Sequence, residues 1–168
     1  SNAAQGKHAT FIEGAELETR LSYSELQQRA LGLLKVLQDR GLTQGDELII
    51  FTKDNKQFAE AFWACLHGGI VPVPVAVGIS DEHRAKLFRI FAKLDRAHLF
   101  TDADNIRHLR NYAEHHDANS ALSEVEAKTI LAEQLGDLQQ AGKPADIQAE
   151  TRAFIQFSSG STSEPKGV

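Results

Sequence analysis

Apolar residues recur along the chain at helical spacing and, in alternation with these segments, as short continuous runs. Near the start, Ala9 to Ile12 and Glu18 to Leu21 flank Gly14, which predicts a short β-hairpin. Ser22 and Glu25 follow with the spacing of a capping box, in which each residue satisfies a free backbone amide at a helix start. We therefore predict a hairpin that leads directly into a helix.

The first predicted helix carries apolar residues three and four positions apart and is stopped by Gly41, since glycine favours the left-handed conformation that ends helices. This spacing predicts a helix that buries one face. The residues expected on that face are Tyr23, Leu26, Ala30, Leu33, Leu34 and Leu37.

Three continuous apolar runs predict buried strands. Leu48 to Phe51 has the pattern of a strand covered on both faces. In Ile70 to Val77, Pro72 and Pro74 each lack a backbone donor, so this strand lies at an edge or leaves the sheet early. His98 to Phe100 is the third run.

Three amphipathic helices are predicted after these strands. One is capped by Asp54 or Asn55 and ends at Gly68-Gly69, one begins near Ser80 or Asp81, and one spans Asp102 to His116. On the first of them we expect Phe62 and Trp63 to fill core or helix-packing space. On the second we expect one apolar and one basic face, carrying Leu87, Ile90, Phe91 and Leu94 inward and Arg84, Lys86, Arg89 and Lys93 mostly outward.

Residues 117–150 are polar and alanine-rich, and their apolar positions predict one more helix before a break at Gly142 to Pro144, with Val125, Leu131, Leu135 and Leu138 on its buried face. Ala153 to Phe157 predicts a last strand. Strands that alternate with helices imply right-handed crossovers, so we predict an α/β fold: a layered, mostly parallel sheet flanked by helices, with the N-terminal β-hairpin beside it.

Composition excludes several classes of function. The 168 residues include 18 Lys and Arg against 23 Asp and Glu, a net charge of −5, whereas nucleic-acid binding needs a basic face. The longest apolar run, Ile70 to Ile79, is about half as long as a bilayer span requires. The single Cys65 lies among apolar residues and is expected to be a buried, reduced thiol, consistent with a cytoplasmic protein.

The ends of the chain are unusual. It contains no methionine, and Ser1-Asn2-Ala3 has the look of an expression-tag remnant. It stops at Val168, directly after its most motif-like stretch. We therefore interpret residues 4–168 as a piece of a longer protein.

That stretch, Ser158 to Gly167, has the composition of a phosphate site. It holds two glycines for close backbone approach, five hydroxyls and the positive charge of Lys166. It leaves the carboxyl end of a predicted strand, where ligands bind in parallel sheets. Composition alone is equally compatible with a flexible linker. A P-loop is excluded, because Lys166 is followed by Gly167 and Val168 rather than by Ser or Thr.

Phe157 to Gly167 resembles the phosphate-loop signature of the adenylate-forming superfamily, the AMP-dependent synthetases and ligases. This superfamily includes acyl-CoA synthetases, fatty acyl-AMP ligases, adenylation domains of nonribosomal peptide synthetases and luciferases. The match fails only at Ser163, where glycine is usual, and that departure favours fatty acyl-AMP ligases and related loading domains. The resemblance extends through the body of the chain, including Gly45-Asp46 and the run from Ala64 to Pro74.

The resemblance implies that residues 4–168 are the N-terminal part of an AMP-binding domain, cut at its phosphate loop and without catalytic residues of its own. It also implies which residues hold the ATP phosphates, namely Ser158, Ser159, Gly160, Ser161, Thr162, Ser163, Lys166 and Gly167. Thr162 is the implied contact to Mg²⁺.

The implied activity is ATP-dependent activation of a carboxylic acid, in first place a fatty acid, to acyl-AMP and pyrophosphate. The acyl group then passes to CoA or to a carrier protein. Two alternatives stay open: an amino-acid adenylation domain, and a noncatalytic binding or scaffolding module on the same fold. The isolated piece is expected to be inactive.

Two further groups of residues have competing interpretations. His108, His115 and His116 suggest a metal site, but adjacent helix residues point about 100° apart, which favours a solvated helix face. The basic positions Arg84, Lys86, Arg89 and Lys93 suit either a carrier protein's acidic surface or an ordinary exposed face.

Overall fold

A β-hairpin opens the structure. The computed structural model describes residues 7–13, 17–158 and 166–168. Strands β1 (His8–Glu13) and β2 (Leu17–Ser22) pair antiparallel, with His8 opposite Ser22 and Glu13 opposite Leu17. The predicted hairpin is confirmed.

Helix α1 (Tyr23–Asp39) begins with the predicted capping box. The Glu25 amide donates to Ser22 Oγ at 3.2 Å, and the Ser22 amide donates to Glu25 Oε2 at 2.8 Å. The Ser22 hydroxyl also donates to Glu25 Oε2 at 2.7 Å, and this bond, followed by that from the Ser22 amide, holds the pKa of the Glu25 carboxyl below its usual value. The predicted inward position of Tyr23 is wrong: its side chain is 47% exposed, because it lies in the first turn, ahead of the first buried residue, Leu26.

Replacing Ser22 by alanine is expected to lower the free energy of unfolding by about 1 kcal/mol, because the amides at the start of α1 lose their side-chain acceptor. Urea denaturation measures this. Ser120→Ala removes an exposed hydroxyl inside another helix and is expected to change stability by less than about 0.5 kcal/mol. Equal effects of the two substitutions would contradict the capping argument.

The central sheet has four parallel strands in the order β4-β3-β5-β6. They are β3 (Glu47–Phe51), β4 (Val71–Pro74), β5 (Ala97–Thr101) and β6 (Thr129–Leu131). The helices connecting and following them are α2 (Asn55–Gly68), α3 (Asp81–Lys93), α4 (Ala103–His115) and α5 (Asn119–Ala127). This arrangement confirms the predicted layered α/β fold.

Each face of the sheet carries its own apolar core. Ile49 and Leu99 point to the face covered by α3, α4 and α5. Leu48, Ile50 and Phe100 point to the face covered by α1 and α2. The strands are buried on both sides, which is why their sequences read as continuous apolar runs.

The prolines of β4 stand at the edge of the sheet, as predicted. The amides of Val71 and Val75 donate to carbonyls of the β3 side, Asp46 O at 2.8 Å and Ile50 O at 3.1 Å. Alternate residues of a parallel strand bond to opposite sides, so Pro72 and Pro74 have their ring nitrogens turned away from β3. The edge of the sheet beyond β4 therefore lacks two donors.

Helix α2 starts at the Asp54 cap, which accepts from the Gln57 amide at 2.8 Å, and ends at Gly69 in the left-handed conformation. Its buried face includes Cys65, and burial raises the pKa of that thiol. The prediction that Trp63 fills core space is wrong, because the side chain lies off that face and is 48% exposed. Phe62 is partly buried and stacks on Phe58 with ring centroids 5.9 Å apart.

The helix predicted within residues 117–150 is confirmed as α5, which buries Val125, but its predicted extension through Leu131, Leu135 and Leu138 is wrong. After α5, residues 129–131 form strand β6 and Ala132–Gln134 form a single 3₁₀ turn. Gly136 then takes a positive φ of 65°, which ends helical geometry. Three residues are too few for strand alternation to show in a sequence, so β6 could not be recognised by its pattern.

Residues 138–145 lie across α1, and we refer to them as the strap. The Gly142 amide donates to Leu31 O at 2.7 Å. The Gln38 side chain bonds to both backbone groups of Lys143, at 2.7 and 2.9 Å. The strap sits directly on the α1 backbone at Gly32, where a Cβ atom would come within 2.1 Å of Leu138 O. Within the described ranges no helix is long and apolar enough to cross a membrane.

Candidate phosphate-binding site

The two ends of the polar loop are paired. Strands β7 (Phe157–Ser158) and β8 (Lys166–Gly167) are antiparallel, with Ser158 opposite Lys166. Outside this pair, the amides of Gln156 and Val168 each donate to the other's carbonyl at 3.0 Å. A flexible linker requires no such pairing, so the geometry favours a closed loop.

We refer to the paired strands β7 and β8 as the loop base. Three of the eight predicted phosphate-binding residues lie in it: Ser158, Lys166 and Gly167. The other five lie outside the described residues, namely Ser159, Gly160, Ser161, Thr162 and Ser163. Lys166 is exposed. Its side chain is therefore accessible to solvent.

The predicted strand Ala153 to Phe157 is wrong for most of its length. Residues 152–156 have no strand assignment, and only Phe157 enters β7. The Ile155 amide donates to Pro72 O at 3.0 Å. A regular ladder beside β4 is not possible, because Pro72 and Pro74 offer no amides on this side.

A cleft of about 580 Å³ lies at the carboxyl end of β4, beside the loop base. Its polar side chains include His83 and Lys86 of α3 and Gln156 next to β7. This is the edge of a parallel sheet where ligands bind. The full lining is Thr52, Phe58, Pro74, Val75, Ala76, Glu82, His83, Lys86, Ile90, Gln156 and Phe157.

His83 was not singled out from the sequence, yet its ring is held from two sides. Its Nδ1 lies 2.6 Å from Ser80 Oγ. Its ring packs onto Gly78, where a Cβ atom would come within 2.2 Å of the ring. One sequence signal could have identified His83: Ser80 lies three residues ahead of it at the start of α3, and Gly78 lies two residues before Ser80.

A second, more open groove of about 780 Å³ runs along the other side of the loop base. It contains the cations Lys93, Arg152 and Lys166 together with the anions Glu47 and Asp95. Its apolar lining includes Leu94, Phe154, Ile155, Phe157 and Val168. Lys166 thus shares the groove with two other cations, Lys93 and Arg152, and two anions, Glu47 and Asp95.

A buried polar cluster lies at the carboxyl ends of β3 and β5. Thr101 Oγ1 and Asn105 Nδ2 both donate to Phe51 O, at 2.6 and 3.2 Å. Asp102, the cap of α4, accepts from the Asn105 amide at 2.7 Å. The hydrogen-bonding capacity of these groups is used locally, so we assign them a structural role.

Two of the three histidines on α4 and its C-cap, His115 and His116, make separate contacts. His116 Nε2 lies 3.3 Å from Asp81 Oδ2, and His115 Nδ1 lies 2.7 Å from Asn111 O. Hydrogen bonds from His116 and then Arg84 keep the pKa of Asp81 below its usual value. Among the residues that the structure describes, no three His, Cys, Asp or Glu side chains are grouped to hold a metal ion.

The basic residues of α3 divide between two environments. Arg84 pairs with Asp81 at 2.8 Å, and Lys86 lines the 580 Å³ cleft. Arg89 and Lys93 lie on the exposed side. A contact between this face and an acidic carrier protein remains a prediction.

The chain is similar to known enzymes along its whole length. A model of the family described as AMP-binding enzyme matches residues 1–168. A medium-chain-fatty-acid–[acyl-carrier-protein] ligase of Moorena producens is 30% identical over 96% of this chain and 27% of its own. A 4-hydroxybenzoate–CoA/benzoate–CoA ligase of Rhodopseudomonas palustris is 30% identical over 99% of this chain and 31% of its own. This chain thus spans less than a third of these relatives.

Solved structures show the same fold. The structure of McyG A-PCP complexed with phenylalanyl-adenylate superposes with a TM-score of 0.79 at 29% identity, covering 95% of this chain and 28% of that one. The fatty acid AMP ligase from Legionella pneumophila gives 0.76 at 26% identity, covering 95% and 26%. A structure of the L. pneumophila fatty acyl-adenylate ligase contains acyl adenylate and pyrophosphate.

Proposed function

The chain belongs to the AMP-binding enzyme family, and on that premise we propose that residues 4–168 supply the phosphate loop of an ATP-dependent ligase that activates carboxylic acids. The observation that carries the proposal is the antiparallel pairing of Ser158 with Lys166. It closes a loop rich in hydroxyls and glycines and leaves a lysine at its end.

In the proposed reaction, a carboxylate oxygen of the acid attacks the α-phosphorus of ATP. The bond from that phosphorus to the bridging oxygen breaks, and acyl-AMP and pyrophosphate form. Negative charge develops on the departing pyrophosphate. Preorganised amides, hydroxyls and a cation around its oxygens stabilise that charge, and Ser158, Lys166 and the loop between them are suited to this role.

The donors of the loop suit Mg²⁺ delivered with ATP. They comprise hydroxyls, backbone amides and the single carboxylate of Glu164, and Mg²⁺ is commonly held by one or two protein ligands together with substrate phosphates. Thr162 is the hydroxyl that we propose as its protein contact. When bound, the metal would neutralise charge on the phosphate oxygens, while Lys166 supplies positive charge from the protein.

A fatty acid is the substrate that we propose first. The fatty-acid ligase of M. producens and the fatty acid AMP ligase of L. pneumophila support this choice, as does Ser163 in place of the usual glycine. The acyl group would pass to a carrier protein or to CoA. The need for ATP supports a cytoplasmic location.

An amino acid is the alternative substrate class, and the likeness to the phenylalanyl-adenylate complex supports it. The two classes differ at the carbon next to the carboxylate, where an amino acid carries an ammonium group. Recognition of that group requires an acceptor or a negative charge, which a fatty-acid site lacks.

A panel of acids tests the proposal on a protein of the relatives' full length that carries this chain. With ATP and Mg²⁺, medium- and long-chain fatty acids are expected to support ATP–pyrophosphate exchange and to yield acyl-AMP. Exchange driven only by amino acids would establish the alternative. The absence of exchange with every acid would leave only a noncatalytic module.

A further inference from the structure

The loop base is attached to the central sheet by few contacts. Beside the prolines of β4, the backbone bond that the structure describes is the one from the Ile155 amide to Pro72 O. Apart from that bond, Ile155 and Phe157 pack their side chains against the core on the α3 side of the sheet. The position of the loop relative to the sheet therefore depends strongly on these two side chains.

Phe157 also contacts the opposite end of the loop. It stands across from Gly167 in the β7–β8 pair. A Cβ atom at Gly167 would come within 3.1 Å of Ile155 Cγ2 and within 3.3 Å of two ring carbons of Phe157, Cε1 and Cζ. The ring thus covers the backbone of a glycine on the facing strand, an arrangement that stabilises strand pairing where glycine has no side chain to offer.

Phe157 further separates the two cavities beside the loop. Among the described residues that line the 580 Å³ cleft and the 780 Å³ groove, Phe157 alone lines both. With open space on two sides, its ring is held by the core below it and by Gly167. A smaller side chain would leave the loop base free to shift toward either cavity.

We propose that Phe157 is the positioning residue of the phosphate loop: its ring joins the core to Gly167 and thereby sets the relative placement of Ser158 and Lys166. Ser158 follows Phe157 directly and Lys166 precedes Gly167, so a shift of the ring displaces both. The catalytic consequence rests on the proposed function, whereas the structural part does not.

Nuclear magnetic resonance of the 168-residue chain tests the structural part. The Phe157 ring is expected to shift the Gly167 α-protons upfield, and the backbone protons of Ser158 and Lys166 are expected to give cross-strand nuclear Overhauser effects. Phe157→Leu is expected to lose both signals, and Phe157→Tyr to keep them. Phe154→Leu, which removes an exposed ring from the same segment, is the matched control and is expected to keep them. Ser158–Lys166 effects that persist at full intensity in Phe157→Leu, or vanish in Phe154→Leu, would overturn the proposal.

Kinetics of the longer protein test the catalytic part. Phe157→Leu is expected to lower kcat for pyrophosphate exchange about tenfold, since small misplacements of catalytic groups cost large factors in rate. The KM for the acid is expected to stay unchanged, and Phe157→Tyr to restore kcat. Normal kcat in Phe157→Leu would overturn the positioning role. A wild-type protein without exchange would instead contradict the proposed function, while the resonance experiment still decides the structural part.

Discussion

Replacing Lys166 by alanine in a protein of the relatives' full length is expected to slow acyl-adenylate formation about a hundredfold. Removal of one preorganised donor to a developing anion typically costs about 3 kcal/mol of transition-state stabilisation. The antiparallel pairing holds the Lys166 backbone opposite Ser158, and its side chain is exposed. The backbone of Lys166 is therefore held in place before ATP binds. Single-turnover formation of acyl-AMP at saturating ATP measures the effect.

Two further variants test whether the slower rate comes from losing the positive charge at the loop or from losing any exposed lysine. Lys143→Ala removes an exposed lysine from the strap and is expected to leave the rate unchanged. Lys166→Arg keeps the charge but replaces a compact ammonium by a planar fork, so its rate is expected to lie between those of the wild type and the alanine variant. Equal rates for Lys166→Ala and wild type would exclude Lys166 from stabilising the charge that develops on the pyrophosphate.

The features that were predictable from the sequence depend on near neighbours. Ser22 and Glu25 are three residues apart, so their capping box is visible without a fold. Pro72 and Pro74 placed β4 at an edge because the loss of a donor is a property of the residue itself. Strand alternation with helices then gave the parallel sheet, since short connections and right-handed crossovers leave few alternatives.

The features that were missed depend on distant partners. Strand β6 exists because Thr129 to Leu131 pairs with Leu99 to Thr101, about thirty residues away. The strap is ordered by backbone bonds to α1 and α2 rather than by its own periodicity. Trp63 falls within an apolar helix, and only the packing of α2 decides which residues of that helix are buried.

The candidate site likewise has features that were predictable from near neighbours and features that depend on distant partners. Its residue types and spacing were readable from Phe157 to Gly167, because a phosphate loop is one continuous segment. The antiparallel base was not predicted, since the segment after the loop has only three residues. His83 and the cleft beside it were also missed, because they come from α3 and from the loop after β4.

Replacing Gly32 by alanine is expected to destabilise the fold by about 3 kcal/mol, as overpacking of a well-packed contact does. In an isolated helix the same change would stabilise by about 1 kcal/mol. Here the new methyl group would lie 2.1 Å from Leu138 O and 2.6 Å from Leu138 Cβ. The strap must therefore lift, which strains the bond between Gly142 and Leu31. Urea denaturation of the 168-residue chain measures the change.

Gly68→Ala is the matched control, because it also introduces a methyl group into a buried helical glycine. Its nearest atom is Leu34 Cδ1 at 2.4 Å, the flexible end of a side chain that can rotate away. We expect its destabilisation to be smaller than that of Gly32→Ala by at least about 1 kcal/mol, since rotamer adjustment costs about that much or less. Equal stability of the two variants would indicate that side-chain crowding alone explains the loss of stability. It would contradict the argument that direct contact of the strap with the α1 backbone makes Gly32→Ala worse. A larger loss in Gly32→Ala, accompanied by faster amide exchange at Gly142, would locate the destabilisation at the strap.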